Sequence, residues 1–342
     1  MITTIFLISF LLALFLSWPI ILLAKKLNIV DLPDQSRKFH FGQVPLLGGV
    51  VIFLAVTLSF VINNYVFNWH LTDQEGRLIL AALIAGGVLL IGGVLDDKFN
   101  LKFWQQLFFV ITAVIIMLFA GLKIDFISNP FGGVFQIPLG WLSAIIITFW
   151  LLGMTYTTKL LDGVDGLATG ISLIGALYLF FVSLVWDRPQ SITPELILIL
   201  IGVCFGFLIW NFFPAKIFLG ESGSTILGFW LGVLALISGA KIATALVVMA
   251  VPVVDVVLVI IQRLLKKQSP FSHADRKHLH FRLLDAGLKP KEVVTILYLT
   301  AIIAGSLALI LGTIGKMVLF ILLALATAVM VFYLIKRYEN QK

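Results

Sequence analysis

Long apolar runs without charge recur along this chain, most of them close to the ~20 residues an α-helix needs to cross a hydrocarbon core. No soluble fold of 342 residues could hide so many in one core: hydrophobic residues make up 61% of the chain and charged residues only 12%. The pattern predicts an all-α, polytopic integral membrane protein, read as a single domain over residues 1–342. About eleven transmembrane helices are expected, near 2–24, 46–62, 78–95, 103–121, 139–160, 167–186, 195–213, 225–238, 242–264, 294–312 and 317–335. The run at 225–238 is short for a span. The first run has neither the basic start nor the small-residue cleavage site of a signal peptide and reads as a retained helix. Cys204, the one cysteine, lies in an apolar run, which excludes internal disulfides and cysteine-based metal sites. Residues 126–138, with Gly132 and Gly133, suit a small hairpin outside the membrane.

The net charge of +7 belongs to topology, not to nucleic-acid binding, because of where the basic residues fall. Counted across alternating connections, nineteen Lys and Arg lie on one side and five on the other. The positive-inside rule makes the richer side cytoplasmic, with the N-terminus outside and the C-terminus cytoplasmic. The expected location is an inner or plasma membrane crossed many times, with membrane lipids around the chain.

The same side collects nearly every carboxylate and histidine able to do chemistry, which points to one composite site on the cytoplasmic face. Asp96 and Asp97 end an otherwise uncharged span. They read either as a solvated helix end or, since adjacent like charges need a cation, as oxygen ligands of the kind Mg²⁺ takes beside substrate phosphates. Asp162 and Asp165, each followed by glycine, share a face if helical; they could equally cap a Gly-rich turn. Glu221 sits among Gly220, Ser222, Gly223 and Ser224 at a helix start, a setting for a bound anion or for plain capping. Arg276, His278 and His280 form a basic strip that could clamp phosphates or simply face anionic lipid; a zinc site there has no cysteine to support it. Asp255, three residues after Pro252, is the one carboxylate well inside a span, where charge costs about 3 kcal/mol; it reads as functional by default or as a protonated or hydrogen-bonded residue at a kink.

Taken in order, these segments resemble the polyprenyl-phosphate N-acetylhexosamine-1-phosphate transferases over nearly the whole chain. The resemblance rests on Asp31-x-Pro33, Arg37, Lys38 and His40, Pro45 with Gly48 and Gly49, Asp96 and Asp97, and Asp162-Gly-x-Asp165-Gly. It continues through Asn211, Pro214, Phe218, Gly220, Glu221 and Gly223, then Pro252 and Asp255, and ends with Asp275, Arg276, His278, His280 and Gly287. It implies attack of a polyprenyl phosphate on the β-phosphate of a UDP-amino sugar, with release of UMP and Mg²⁺ as cofactor (Mn²⁺ as a substitute). Carried over by position, Asp96 is the base or the positioner of the lipid phosphate, and Asp97 and Glu221 are the metal-site carboxylates. Phe218 would stack on uracil, Asp162 and Asp165 would line the nucleotide site, and His278 joins the catalytic set. Arg276 and His280 contact phosphates or sugar, and Lys38, Lys159 and Asn211 complete the substrate-binding set. The partners implied are a UDP-sugar donor and an undecaprenyl or other polyprenyl phosphate acceptor; a homodimer is compatible with the family and no nucleic acid is expected.

The last loop resembles the N-acetylglucosamine type, because three consecutive histidines, usual in the muramoyl-pentapeptide type, are absent and Phe281 follows His280. UDP-GlcNAc is the expected donor, with UDP-GalNAc, a bacillosamine-like sugar or the muramoyl-pentapeptide donor as alternatives, at the start of a cell-envelope glycan such as lipopolysaccharide or teichoic acid. Two positions depart from the family pattern: Glu221 stands where Asp is usual, and Lys159 where Asn is usual. A lysine there could bind a phosphate directly or compete with Mg²⁺. Readings of another class are a membrane transporter, whose charges should line a midplane site instead of one face, and an inactive scaffold relative.

Overall fold

In the computed structural model, residues 1–31, 43–129, 132–187, 191–237, 241–269 and 276–339 are described; Lys38, Arg37, His40 and Asp275 lie outside them. The described residues form thirteen helices and two small two-stranded ribbons. The helices are α1 (Ile2–Lys26), α2 (Gly48–Phe67), α3 (Asp73–Phe99), α4 (Phe103–Phe119), α5 (Gly140–Leu161), α6 (Leu167–Trp186) and α7 (Thr193–Asn211). Then follow α8 (Gly220–Ile237), α9 (Ile242–Val248), α10 (Ala250–Leu265), α11 (Leu279–Asp285), α12 (Pro290–Ile310) and α13 (Thr313–Glu339). Antiparallel strands β1 (Val30–Asp31) and β2 (Val44–Pro45) flank the α1–α2 connection, and β3 (Phe126–Ser128) and β4 (Val134–Gln136) make the expected hairpin, with Gly132 and Gly133 at positive φ.

Nine helices among the described residues are long and apolar enough to cross a membrane. The shorter apolar α4 and the bent pair α9–α10 complete the eleven runs expected from sequence. Two differences are physical. The run expected as one helix over 242–264 is broken at Met249, where α9 and α10 meet at 77°. Pro252 has no N–H to give the carbonyl of Val248, so the helix cannot pass through unbent. The short span expected at 225–238 begins earlier, at Gly220, because the small polar run Glu221–Ser224 winds into its first turn.

α8 is the most enclosed of the long helices and α13 the least, so α8 forms the axis of the bundle and α13 its lipid-facing edge. Small residues allow that enclosure. A Cβ on Gly93 of α3 would lie 2.2 Å from the Ser222 Cα, and one on Gly228 of α8 would lie 2.5 Å from the Met154 carbonyl of α5. Backbones thus touch directly where α3 and α5 cross α8, the close packing that helices use in lipid. α1 seats on α7 in the same way, over Gly202 and Gly206. Polar ends are tied as well: Thr72 and Glu75 form a reciprocal capping box at the start of α3.

Candidate functional site

The last turn of α3, the first turns of α4 and α8, and the α5–α6 connection meet at one end of the bundle. Gly220 takes a left-handed φ of 70° and leaves no room for a Cβ, which would stand 2.6 Å from Asp97 Oδ2. The loop before it is pinned by backbone: Gly48 and Gly49 donate to the carbonyls of Phe218 and Leu219, both at 3.0 Å, and Phe218 donates to Pro45 at 2.8 Å. The N-terminus of α8 therefore lies against the end of α3. There Asp97 accepts from the Glu221 backbone N–H (2.9 Å) and from the Ser222 hydroxyl (3.4 Å). A carboxylate at a helix N-terminus is stabilised by the free N–H groups of the first turn.

Asp96, next in the chain, points elsewhere and is buried. Its oxygens accept from the Leu101 N–H (2.6 Å) and from Gln106 Nε2 (3.0 Å). The same Gln106 accepts from the Lys159 ammonium at 2.6 Å, and that ammonium lies 2.8 Å from Glu221 Oε2. Asp96, Gln106, Lys159 and Glu221 thus form one continuous polar chain around a small cavity of about 20 Å³, also lined by Tyr156 and Thr225. The two residues that depart from the family pattern, Lys159 and Glu221, are each other's partners.

Beyond α5, Asp162 ends the helix as its C-cap. Desolvation first, and then the charges of Glu221, Asp97 and Asp165, push its carboxyl well above the usual range. Asp165 accepts from the Ala215 N–H (2.9 Å) and so ties the α5–α6 connection to the α7–α8 loop. Asn211 spends its amide inside the protein, accepting from Thr169 (2.7 Å) and donating to the Ile217 carbonyl (3.0 Å). It shapes the loop that presents Phe218, whose side chain is half-buried.

Gly163 connects this cluster to the last loop. A Cβ there would stand 2.3 Å from His280 Nε2. His280 is 2% exposed; burial first, then the charges of His278 and Arg276, push its imidazole down to about 3, so it is neutral at pH 7. Its ring lies parallel to that of His278, which is 2.8 Å from Asp255 Oδ2 through Nδ1. The other Asp255 oxygen accepts from the Leu279 N–H at 2.9 Å, capping α11. Arg276 lies over the Phe281 ring and 2.5 Å from Asp285. The strip therefore has one half-buried cation, Arg276, with two buried imidazoles behind it.

The described residues thus bring together Asp96, Asp97, Lys159, Asp162, Asp165, Asn211, Phe218, Glu221, Arg276, His278 and His280; only Lys38 falls outside them. Sequence reasoning missed Gln106, although a Gln-Gln pair within the apolar run of α4, just past Asp96–Asp97, was a visible signal. It also left Asp255 without a partner, because nothing in the spacing links it to His278.

As a divalent-cation site these groups fit badly. The Glu221 oxygen already faces an ammonium, and both oxygens of Asp97 and of Asp96 accept hydrogen bonds from protein. Among the described residues no three His, Cys, Asp or Glu converge as a ligand set.

The chain as a whole is similar to known proteins. Residues 79–239, which carry the site from Asp96 to Glu221, match the family model described as glycosyl transferase family 4. The chain is 32% identical over 312 residues to a probable undecaprenyl-phosphate N-acetylglucosaminyl 1-phosphate transferase of Bacillus subtilis, covering 90% of this chain and 84% of that protein. It is 32% identical to the decaprenyl-phosphate N-acetylglucosaminephosphotransferase of Mycobacterium tuberculosis, over 83% of this chain and 76% of the relative. The undecaprenyl-phosphate alpha-N-acetylglucosaminyl 1-phosphate transferase of Escherichia coli K12 is 27% identical, over 84% and 77%.

Proposed function

The chain belongs to glycosyl transferase family 4, and from that premise we propose that it moves N-acetylglucosamine-1-phosphate from UDP-GlcNAc onto a polyprenyl phosphate, releasing UMP. One observation carries the reading: carboxylates, amide and ammonium from α3, α4, α5 and α8 converge at a single end of an apolar bundle. A lipid phosphate anchored in the membrane and a water-soluble diphosphate can meet only at such a boundary. An oxygen of the lipid phosphate attacks the β-phosphorus of the donor. The bond from that phosphorus to the bridging oxygen breaks, and UMP leaves with the electron pair.

Phosphoryl transfer of this type asks a protein mainly for positioning and for charge placed against the transferring group. Asp96, fixed by Leu101 and Gln106, stands where the lipid phosphate would enter; Asp97 holds the first turn of α8 in place. Phe218 offers a ring for uracil, and Asp162 and Asp165 border the nucleotide. Arg276 brings positive charge from the last loop, while neutral His280 and the Asp255–His278 pair set its position. The Mg²⁺ expectation carries no step in this reading, because the carboxylates that would hold it already have partners. The basic-residue asymmetry supports a cytoplasmic active face, with the N-terminus outside.

The test is a turnover assay on detergent-purified protein with undecaprenyl phosphate and a panel of UDP-sugars, identifying the nucleotide released. Lipid-dependent UMP, fastest from UDP-GlcNAc, is the expected result. UMP fastest from another UDP-sugar would replace the donor, and no nucleotide from any of them in well-folded protein would favour the inactive-relative reading.

A further inference from the structure

The two positions at which this chain leaves the family pattern are far apart in sequence, yet they meet as a 2.8 Å ion pair. In the usual pattern, Asn and Asp together carry one negative charge and lack a cation of their own. Here Lys159 and Glu221 are neutral as a pair and supply an ammonium. The changes also fit in length. Glu is longer than Asp by one methylene, more than 1 Å of reach toward α5, and Lys159 reaches back from the last turn of that helix.

The ammonium is enclosed, with the Lys159 side chain 12% exposed, so its charge is screened less than on an open surface. Gln106 accepts one of its three N–H donors, and the Glu221 carboxylate lies 2.8 Å from the nitrogen as its counter-ion. The ammonium therefore keeps donor capacity to spare, and the cavity it borders is also lined by Asp96 and Glu221. Through Gln106 the same lysine fixes the amide that donates to Asp96.

Resting on the phosphosugar-transfer reading, we infer that the Lys159 ammonium is the cation that meets the donor's diphosphate in this chain, so that turnover needs no divalent metal bound by the protein. The ammonium donates hydrogen bonds to the diphosphate as the β-phosphorus–oxygen bond breaks, and no proton changes hands at its nitrogen.

Two readouts test this. The first is UMP release by the wild-type protein in EDTA and in Mg²⁺, which requires no variant to fold. The expected rates agree within about twofold, whereas Lys159→Asn in EDTA falls at least ~100-fold. The second is Mn²⁺ binding followed by electron paramagnetic resonance without nucleotide. Lys159→Asn/Glu221→Asp is expected to bind Mn²⁺ at least ~10-fold more tightly than wild type. Wild-type turnover abolished by EDTA, or Mn²⁺ held equally tightly by wild type and the double variant, would overturn the inference. If no donor yields UMP, the phosphosugar reading itself fails, and Mn²⁺ binding alone still decides whether Lys159 occupies the cation position.

Discussion

Glu221 is a residue whose role depends on its neighbours more than on its type. Its N–H holds Asp97 and its carboxylate holds Lys159, so two separate changes at this point should be costly. Glu221→Gln removes the charge and leaves an enclosed ammonium without its counter-ion; Asp97→Asn removes the negative charge at the start of α8 and turns one of its two acceptor oxygens into a donor. Each is expected to lower kcat by at least ~100-fold in protein that remains monodisperse, and steady-state UMP release checks it. Normal rates in both would remove these carboxylates from the site.

His280 supports a prediction in pH. Its folded value is depressed to about 3, so below the unfolded value of about 6.5 the unfolded chain takes up a proton that the folded one refuses. Stability from this group is present above pH 6.5 and is lost as pH falls toward 3, amounting to about 2 kcal/mol by pH 5. Asp162, raised above its usual range, acts with the opposite sign, losing stability as pH rises from about 4. The two separate by substitution: His280→Gln should flatten the fall in thermal midpoint between pH 7 and pH 5. An unchanged slope would mean that the imidazole is accessible to protons in the folded state.

At the scale of helices, the site depends on how closely α3 and α8 approach. Gly93 makes that contact with no side chain of its own, and an added methyl would meet Ser222 backbone at 2.2 Å. Backbone cannot yield as a flexible side chain can, so Gly93→Ala is expected to cost about 1–3 kcal/mol and to lower turnover by moving Asp97 off Glu221. Thermal unfolding and kcat measured on the same preparation test both parts; a variant with unchanged midpoint and rate would show that the crossing is loose. At the far end of α6, Asp187, its side chain 9% exposed, meets buried Lys241 at 2.6 Å and joins the start of α9 to the bundle. Burial pulls the Lys241 ammonium below its usual range, and Asp187 partly restores it. Removing one partner strands the other, so Asp187→Asn should destabilise the protein by about 3–5 kcal/mol with little direct effect on chemistry. Equal midpoints for this variant and wild type would make the pair incidental.

For the whole molecule, most helix positions were legible because hydrophobic length alone sets them, and the one-sided clustering of Asp96, Asp97, Asp162, Asp165, Glu221 and His278 survived into three dimensions. The break at Met249 was only half legible: Pro252 was visible, but a 77° bend depends on what packs around it. α11 was missed, being too short for an apolar run to announce. Pairings were the least legible. Lys159 with Glu221, Gln106 with Asp96, and His278 with Asp255 join segments whose separation in sequence says nothing about contact. Each single residue had a plausible ordinary reading, and only their convergence at one end of the bundle turns them into a site.

The central claim is that the phosphorus travels with the sugar. UDP-GlcNAc radiolabelled at its β-phosphorus, incubated with the purified protein and undecaprenyl phosphate, tests it most directly. The label is expected to leave the aqueous phase and appear in a lipid diphosphate carrying N-acetylglucosamine, with unlabelled UMP as the soluble product. Label retained in soluble UDP, beside a glycosylated lipid, would mean that the sugar moves alone and would contradict it.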